Sequence, residues 1–111
     1  MGPWIVTADE IPDPQDLQIR CLVNGAEKQN ANTRNMIFNV PRLIKELSWG
    51  MSLLSGDIIL TGTPEGVGFG RDPQEYLKPG DEVKVIIDRI GTISNKIEVR
   101  PLTSTEVPYV A

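Results

Sequence analysis

At 111 residues, with 40% hydrophobic and 23% charged side chains, the chain has the composition of one globular domain, neither disordered nor membrane-embedded. Eleven basic against fifteen acidic residues give a net charge of −4 without the basic cluster a nucleic-acid face needs, and no apolar run approaches the roughly 18 residues of a membrane span. The chain has no histidine, which removes His-containing catalytic triads and His-based zinc sites, and its single cysteine, Cys21, excludes an internal disulfide.

The opening "MGPWIVTADE" has no basic region ahead of its apolar residues and fails the myristoylation pattern at Val6, so a soluble cytoplasmic protein is expected. "WIVT" predicts a strand that runs into an irregular connection at Pro12 and Pro14. Next, Leu17, Ile19, Cys21 and Val23 alternate with polar residues, the period of a half-buried strand in which Cys21 serves as packing. Asn24-Gly25 supplies the type I′ turn of a hairpin, and "AEKQNANT" is its polar return strand.

The period then changes. Asn39 is a helix cap, Pro41 fits the first turn, and Leu43, Ile44, Leu47 and Met51 share one face, which predicts an amphipathic helix over 40–50 closed at Gly50. Two similar segments follow, "LLSGDIIL" at 53–60 and "LKPGDEVKVII" at 77–87. In each, a glycine makes a turn, an aspartate bonds back to the turn backbone, and a strand begins. A turn near Arg89 to Gly91 leads into a last strand, with Ile93, Ile97 and Val99 on one face, and the tail "PLTSTEVPYVA" is irregular. The inventory is about six short strands and one helix: a mainly β, α+β chain.

Between the two similar segments lies "TGTPEGVGFGRDP". It lacks the lysine of a phosphate-binding loop, and its glycines do not match a dinucleotide fingerprint. Thr61 and Thr63 bring hydroxyls, Gly62 permits close approach to the backbone, Pro64 stiffens the turn and Glu65 adds a carboxylate. This chemistry suits a small oxygen-rich anion, though by itself the segment reads equally well as a structural turn. Asp9, Glu10 and Asp13, and Asp81 with Glu82, are sequence-adjacent acids that read as solvated surface rather than as a metal site. Trp4 and Trp49 read as core aromatics.

The segments "GPW", "VNG", "NT..MIF", "SGD/PGD" and "TGTPEGVG", in this order across nearly the whole chain, resemble the fumarylacetoacetate hydrolase family, in particular its bacterial branch acting on 2-oxo-dioates from aromatic breakdown. The resemblance implies a mixed β-roll, typically dimeric, which holds Mg²⁺ or Mn²⁺ against the 2-oxo-acid end of a substrate that is hydrolysed, decarboxylated or isomerised through an enolate. It implies that Thr63 and Gly62 contact the substrate, with Thr61 and Glu65 beside them. The family's Glu-x-Glu pair, its further aspartate motif, its lysine and its lid histidine all lie upstream of "GPW" and have no match here.

The resulting expectation is a single partial catalytic domain over residues 1–111, the substrate-binding half of a 2-oxo acid enzyme. It carries no catalytic residue and no metal ligand of its own, and it pairs with itself or with a complementing subunit. The alternatives are a non-catalytic β-domain remnant serving assembly and a small-anion binding module. Cutting a roll leaves unpaired edges and uncovered apolar surface, so an isolated chain is expected to aggregate.

Overall fold

A computed structural model describes residues 2–100; the irregular tail expected from 101 onward lies outside them. Four strands form one open antiparallel sheet: β1 (Gln18–Val23), β2 (Ala26–Asn32), β3 (Glu82–Ile87) and β4 (Gly91–Lys96), in the order β2-β1-β3-β4. One helix, α1 (Val40–Gly50), lies between β2 and β3 in the chain. The mainly β, one-helix architecture read from the sequence is the one the chain adopts.

The first hairpin forms where expected. Asn24 and Gly25 hold φ of 51° and 80°, the double left-handed geometry that matches a type I′ turn to the twist of its strands. Past Cys21 the register slips: Cys21 faces Gln29 but Leu22 faces Glu27, so Lys28 is the extra residue of a bulge. β1 then pairs along its other edge with β3, over Ile19↔Ile87 to Val23↔Val83. The crossover between β2 and β3 brings the 60s loop back over β2.

The helix begins as its sequence dictates. The Asn39 side chain accepts from the Arg42 N–H at 2.9 Å, Pro41 needs no donor in the first turn, and the Val40 N–H is taken by Gln15 Oε1 at 2.7 Å. Its apolar face, however, is uncovered. Only Val40 and Leu43 are half-buried, and Ile44, Leu47 and Met51 are exposed.

The two Leu-x-x-Gly-Asp segments make the same turn. Asp57 Oδ2 accepts from the Leu54 N–H and Asp81 Oδ2 from the Lys78 N–H, each at 2.7 Å, with Gly56 and Gly80 at φ of 98° and 92°. Only the second turn leads into a strand. Residues 57–60 and the "WIVT" stretch form no ladder, contrary to expectation. An extended apolar run becomes a strand only when another backbone takes its hydrogen bonds, and none among the described residues lies beside these two. Ile58 and Leu60 are left exposed.

The packed interior is accordingly thin. Leu17 is the one buried hydrophobic residue among those described, while the side chains of β1 are half-buried and the other strands mix half-buried with exposed positions. Trp4 and Trp49, expected in the core, are both exposed, Trp49 at 88%. Cys21 is half-buried on β1 with a free thiol. No helix among the described residues is long and apolar enough to cross a membrane.

Candidate functional site

The glycine-rich loop after residue 60 lies over β2 and is fastened there at two points. The first is Gln29, opposite Cys21 in the hairpin. Its Nε2 donates to Thr63 Oγ1 at 2.9 Å and to the Pro64 carbonyl at 2.7 Å, with the Glu65 carbonyl at 3.3 Å. The second is Arg71, which reaches back to the Gly66 carbonyl at 3.2 Å and the Lys28 carbonyl at 2.6 Å. The Lys28 carbonyl sits at the bulge, where the ladder leaves it free to accept a side-chain donor. Lys28 Nζ in turn pairs with Glu75 at 2.5 Å, and that ion pair holds the Glu75 carboxyl below the ordinary range.

Gly66 is where the loop touches the strand. It holds φ of 97°, and a Cβ there would collide with the Lys28 carbonyl oxygen and press on the Gln29 side chain. Gly62 has the same left-handed backbone, φ 92°, but a Cβ there would meet nothing within 4 Å. The first glycine is needed for close packing as well as for its backbone angle. The second is needed for its angle and leaves its outer side open.

The loop, the segment ahead of α1 and Leu43 of the helix border an open cleft of about 620 Å³. Its lining includes Thr61, Gly62, Thr63, Pro64 and Glu65 from the loop, Ile19 and Ala31 from the sheet, and the apolar Ile37, Phe38 and Leu43. All four residues singled out in the sequence, Thr61, Gly62, Thr63 and Glu65, therefore share one cavity. Asn32 and Thr33, which the sequence left without a role, line it as well. The Thr33 hydroxyl donates to the Pro14 carbonyl at 2.8 Å and accepts from the Leu17 N–H at 3.0 Å, so it ties the floor of the cleft to the segment that enters β1. Asn32 accepts from the Arg34 N–H and donates to Asp16, and the Arg34 guanidinium, paired with Asp16, is the main cause holding that carboxyl below its usual range. A smaller cavity of about 220 Å³ is bordered by Cys21, Lys28, Gln29 and Arg71.

Among the described residues Glu65 is the one carboxylate on the walls of the larger cleft. Among the described residues no three His, Cys, Asp or Glu side chains gather as a metal centre needs, so these residues do not by themselves fit a divalent cation. Acids of both groups marked in the sequence have structural partners: Glu10 accepts from the Thr7 hydroxyl at 3.2 Å, Asp13 from the Gln15 N–H at 2.8 Å, Asp81 from Asn24 Nδ2 at 2.8 Å, and Glu82 from the Ser94 hydroxyl.

Gln29 and Arg71 were missed in the sequence. One reads as a polar residue of a return strand and the other as a solvated cation. Only the bulge and the path of the crossover bring them to the loop.

Residues 1–98 match the family model described as fumarylacetoacetate (FAA) hydrolase C-terminal. An uncharacterised protein of Staphylococcus saprophyticus is 52% identical over 97 residues, which are 87% of this chain and 32% of that protein. The chain thus spans about a third of the length of the curated relatives it matches. Among solved structures, fumarylacetoacetate hydrolase from Exiguobacterium antarcticum superposes with a TM-score of 0.86 at 43% identity, over 89% of this chain and 35% of that one. Maleylpyruvate hydrolase from Sphingobium sp. SYK-6, in complex with manganese(II) and pyruvate, gives 0.79 at 40% identity, over 87% and 34%. A 2-hydroxyhepta-2,4-diene-1,7-dioate isomerase from Mycobacterium marinum gives 0.74 at 44% identity, over 87% and 34%.

Proposed function

The chain belongs to the fumarylacetoacetate hydrolase family, and from that premise we propose that it is the substrate-binding part of a metal-dependent enzyme acting on 2-oxo acids or their dicarboxylates. Residues 1–111 are read as one partial catalytic domain. Thr63 and Gly62 contact the carboxylate or keto oxygens, and Thr61 and Glu65 flank them. The carboxylates for Mg²⁺ or Mn²⁺ come from outside the described residues, so turnover requires the remainder of a family domain, supplied by a complementing segment or subunit in the cytoplasm.

One observation carries this reading. A cleft of about 620 Å³ is lined by hydroxyls and a left-handed glycine together with Ile37, Phe38 and Leu43. Such a cavity matches a ligand with an oxygen-rich end and a carbon chain. The pyruvate and manganese of the Sphingobium relative are consistent with the ligand class.

The test is complementation. The chain is combined with the remaining two-thirds of the Staphylococcus saprophyticus relative, and hydrolysis of an acylpyruvate is followed in the presence of Mg²⁺. Turnover that appears only in the mixture, with KM raised about tenfold or more by Thr63→Val, is expected for loss of one hydrogen bond to a charged ligand. Turnover in the mixture that ignores Thr63→Val would overturn the assignment of that residue.

A second reading is an assembly domain without chemistry. It is favoured by the outer edges of β2 and β4, which pair with no strand among the described residues, and by Ile37 and Leu60, exposed at 92% and 91%. Stable self-association together with an inert mixture in the assay above would select it.

A further inference from the structure

Two backbone carbonyls decide which way the Gln29 amide faces. The carbonyls of Pro64 and Glu65 can only accept, so the end of the amide turned to them, 2.7 and 3.3 Å away, is the NH₂ group. The same nitrogen lies 2.9 Å from Thr63 Oγ1, which must therefore accept as well. Three acceptors share two hydrogens, and the Glu65 carbonyl, at the longest distance, has the weakest share.

The consequence falls on Thr63. Its hydroxyl oxygen is engaged by Gln29, while its own hydrogen meets no acceptor among the described residues, and the side chain lines the cleft. We infer that Gln29 is a positioning residue that occupies one lone pair of the Thr63 hydroxyl and biases it to donate into the cleft, so that the cleft favours a hydrogen-bond acceptor at this point over a donor. A hydroxyl that accepts one hydrogen bond is polarised and gives a stronger one. The ligand class that profits is a carboxylate or keto oxygen; an amide N–H or an alcohol hydrogen at the same point has only the hydroxyl's one remaining lone pair to meet, on an oxygen that Gln29 already holds. This rests on the proposal that Thr63 contacts the ligand, and it adds a residue, and a direction of hydrogen bonding, which that proposal leaves open.

The test uses the 111-residue chain and two probes of nearly equal shape, oxalate and oxamate. Oxalate offers only acceptors, whereas oxamate replaces one carboxylate by an amide that also donates. Dissociation constants are read from ¹H–¹⁵N shifts at Thr63 for the wild type, Thr63→Val and Gln29→Met. Gln29→Met keeps the length of the side chain and removes its donors, which frees the hydroxyl to turn and accept. The preference for oxalate over oxamate is expected to shrink roughly fivefold in Gln29→Met, because a charge-assisted bond is exchanged for a neutral one. A purely structural role would weaken both probes alike and leave their ratio unchanged.

A second measurement does not depend on how well Gln29→Met folds. In the wild type the Gln29 side-chain NH₂ signals are expected to move when oxalate binds, because they lie in series with it through Thr63. Oxalate binding that Thr63→Val weakens, with an unchanged probe ratio or with still Gln29 signals, overturns the inference about Gln29 and leaves Thr63 as a ligand contact. Absence of oxalate shifts at Thr63 up to tens of millimolar, or equal binding by Thr63→Val, overturns both.

Discussion

Trp4 lies against Gly91. The indole Nε1–H donates to the Ile90 carbonyl at 2.6 Å, 86 residues away, and a Cβ at position 91 would stand 2.6 Å from the ring carbon Cζ2. Because Gly91 also holds φ of 131°, a backbone that L side chains rarely adopt, this one glycine admits both the β3–β4 turn and the aromatic ring that closes over it. The N-terminal segment is thereby tied to the sheet without becoming one of its strands.

Gly91→Ala should therefore lose both features. The strained backbone and the displaced ring together are expected to cost about 1–3 kcal/mol. In a Trp49→Phe background, which leaves Trp4 as the lone tryptophan, the emission should shift to the red and the urea midpoint should fall. An alanine variant with unchanged emission would show that the ring does not depend on that contact.

Gly66→Ala addresses the loop. The added methyl would meet the Lys28 carbonyl, so the loop must lift from β2 and release the Gln29 and Arg71 contacts. Faster amide exchange confined to residues near 61–71, with β1 and β3 protected as before, is the expected pattern. Gly62→Ala leaves room for the methyl and carries only the backbone penalty of its φ, so its exchange should change less. Equal effects at the two positions would contradict the packing role given to Gly66.

Asn39→Ala removes the side chain that accepts from the Arg42 N–H. Loss of such a cap costs about 1 kcal/mol. With its apolar face largely exposed, α1 has little packing to resist fraying, so the loss should appear as reduced helical ellipticity near 222 nm. Asn39→Asp, which keeps the acceptor, should restore it.

Acid should destabilise the chain over a definite range. Hydrogen bonds from Asn24 and from the Lys78 N–H hold Asp81 below its ordinary value; Arg34 and Asn32 do the same for Asp16, and Lys28 for Glu75. A carboxyl with a lower pKa folded than unfolded stabilises the fold fully above its unfolded value, and that contribution is lost as pH falls through the folded value. The urea midpoint should thus stay level from neutral pH down to about 5 and fall below about 4, where ordinary carboxylates take up protons. Asp81→Asn should flatten part of that fall; a midpoint already declining between pH 7 and 6 would point to other groups.

Much of the local structure was legible because its causes sit within a few residues of one another. Asn24-Gly25 specifies its turn by backbone preference alone, Asn39 and Pro41 specify the start of α1, and Asp57 and Asp81 each close a turn with an N–H three residues earlier. The segment 61–65 was likewise recognisable by its chemistry, and its four marked residues do share a cleft. "WIVT" and "DIIL" failed as strands even though their residues are well suited to one, because a ladder needs a second backbone that composition does not reveal. Trp4 and Trp49 were placed in a core by their type, yet burial depends on which other segments arrive to cover them.

By itself, then, the amino-acid order determined the turns and the helix start. Both follow from dihedral preference and hydrogen bonds that span about four residues. Only the tertiary structure decided the β2-β1-β3-β4 order, the bulge at Lys28, the seat of Trp4 on Gly91 and the Gln29 amide beneath Thr63. The last two join residues 87 and 34 positions apart, and at such separations the path of the chain, rather than any local preference, selects which groups meet.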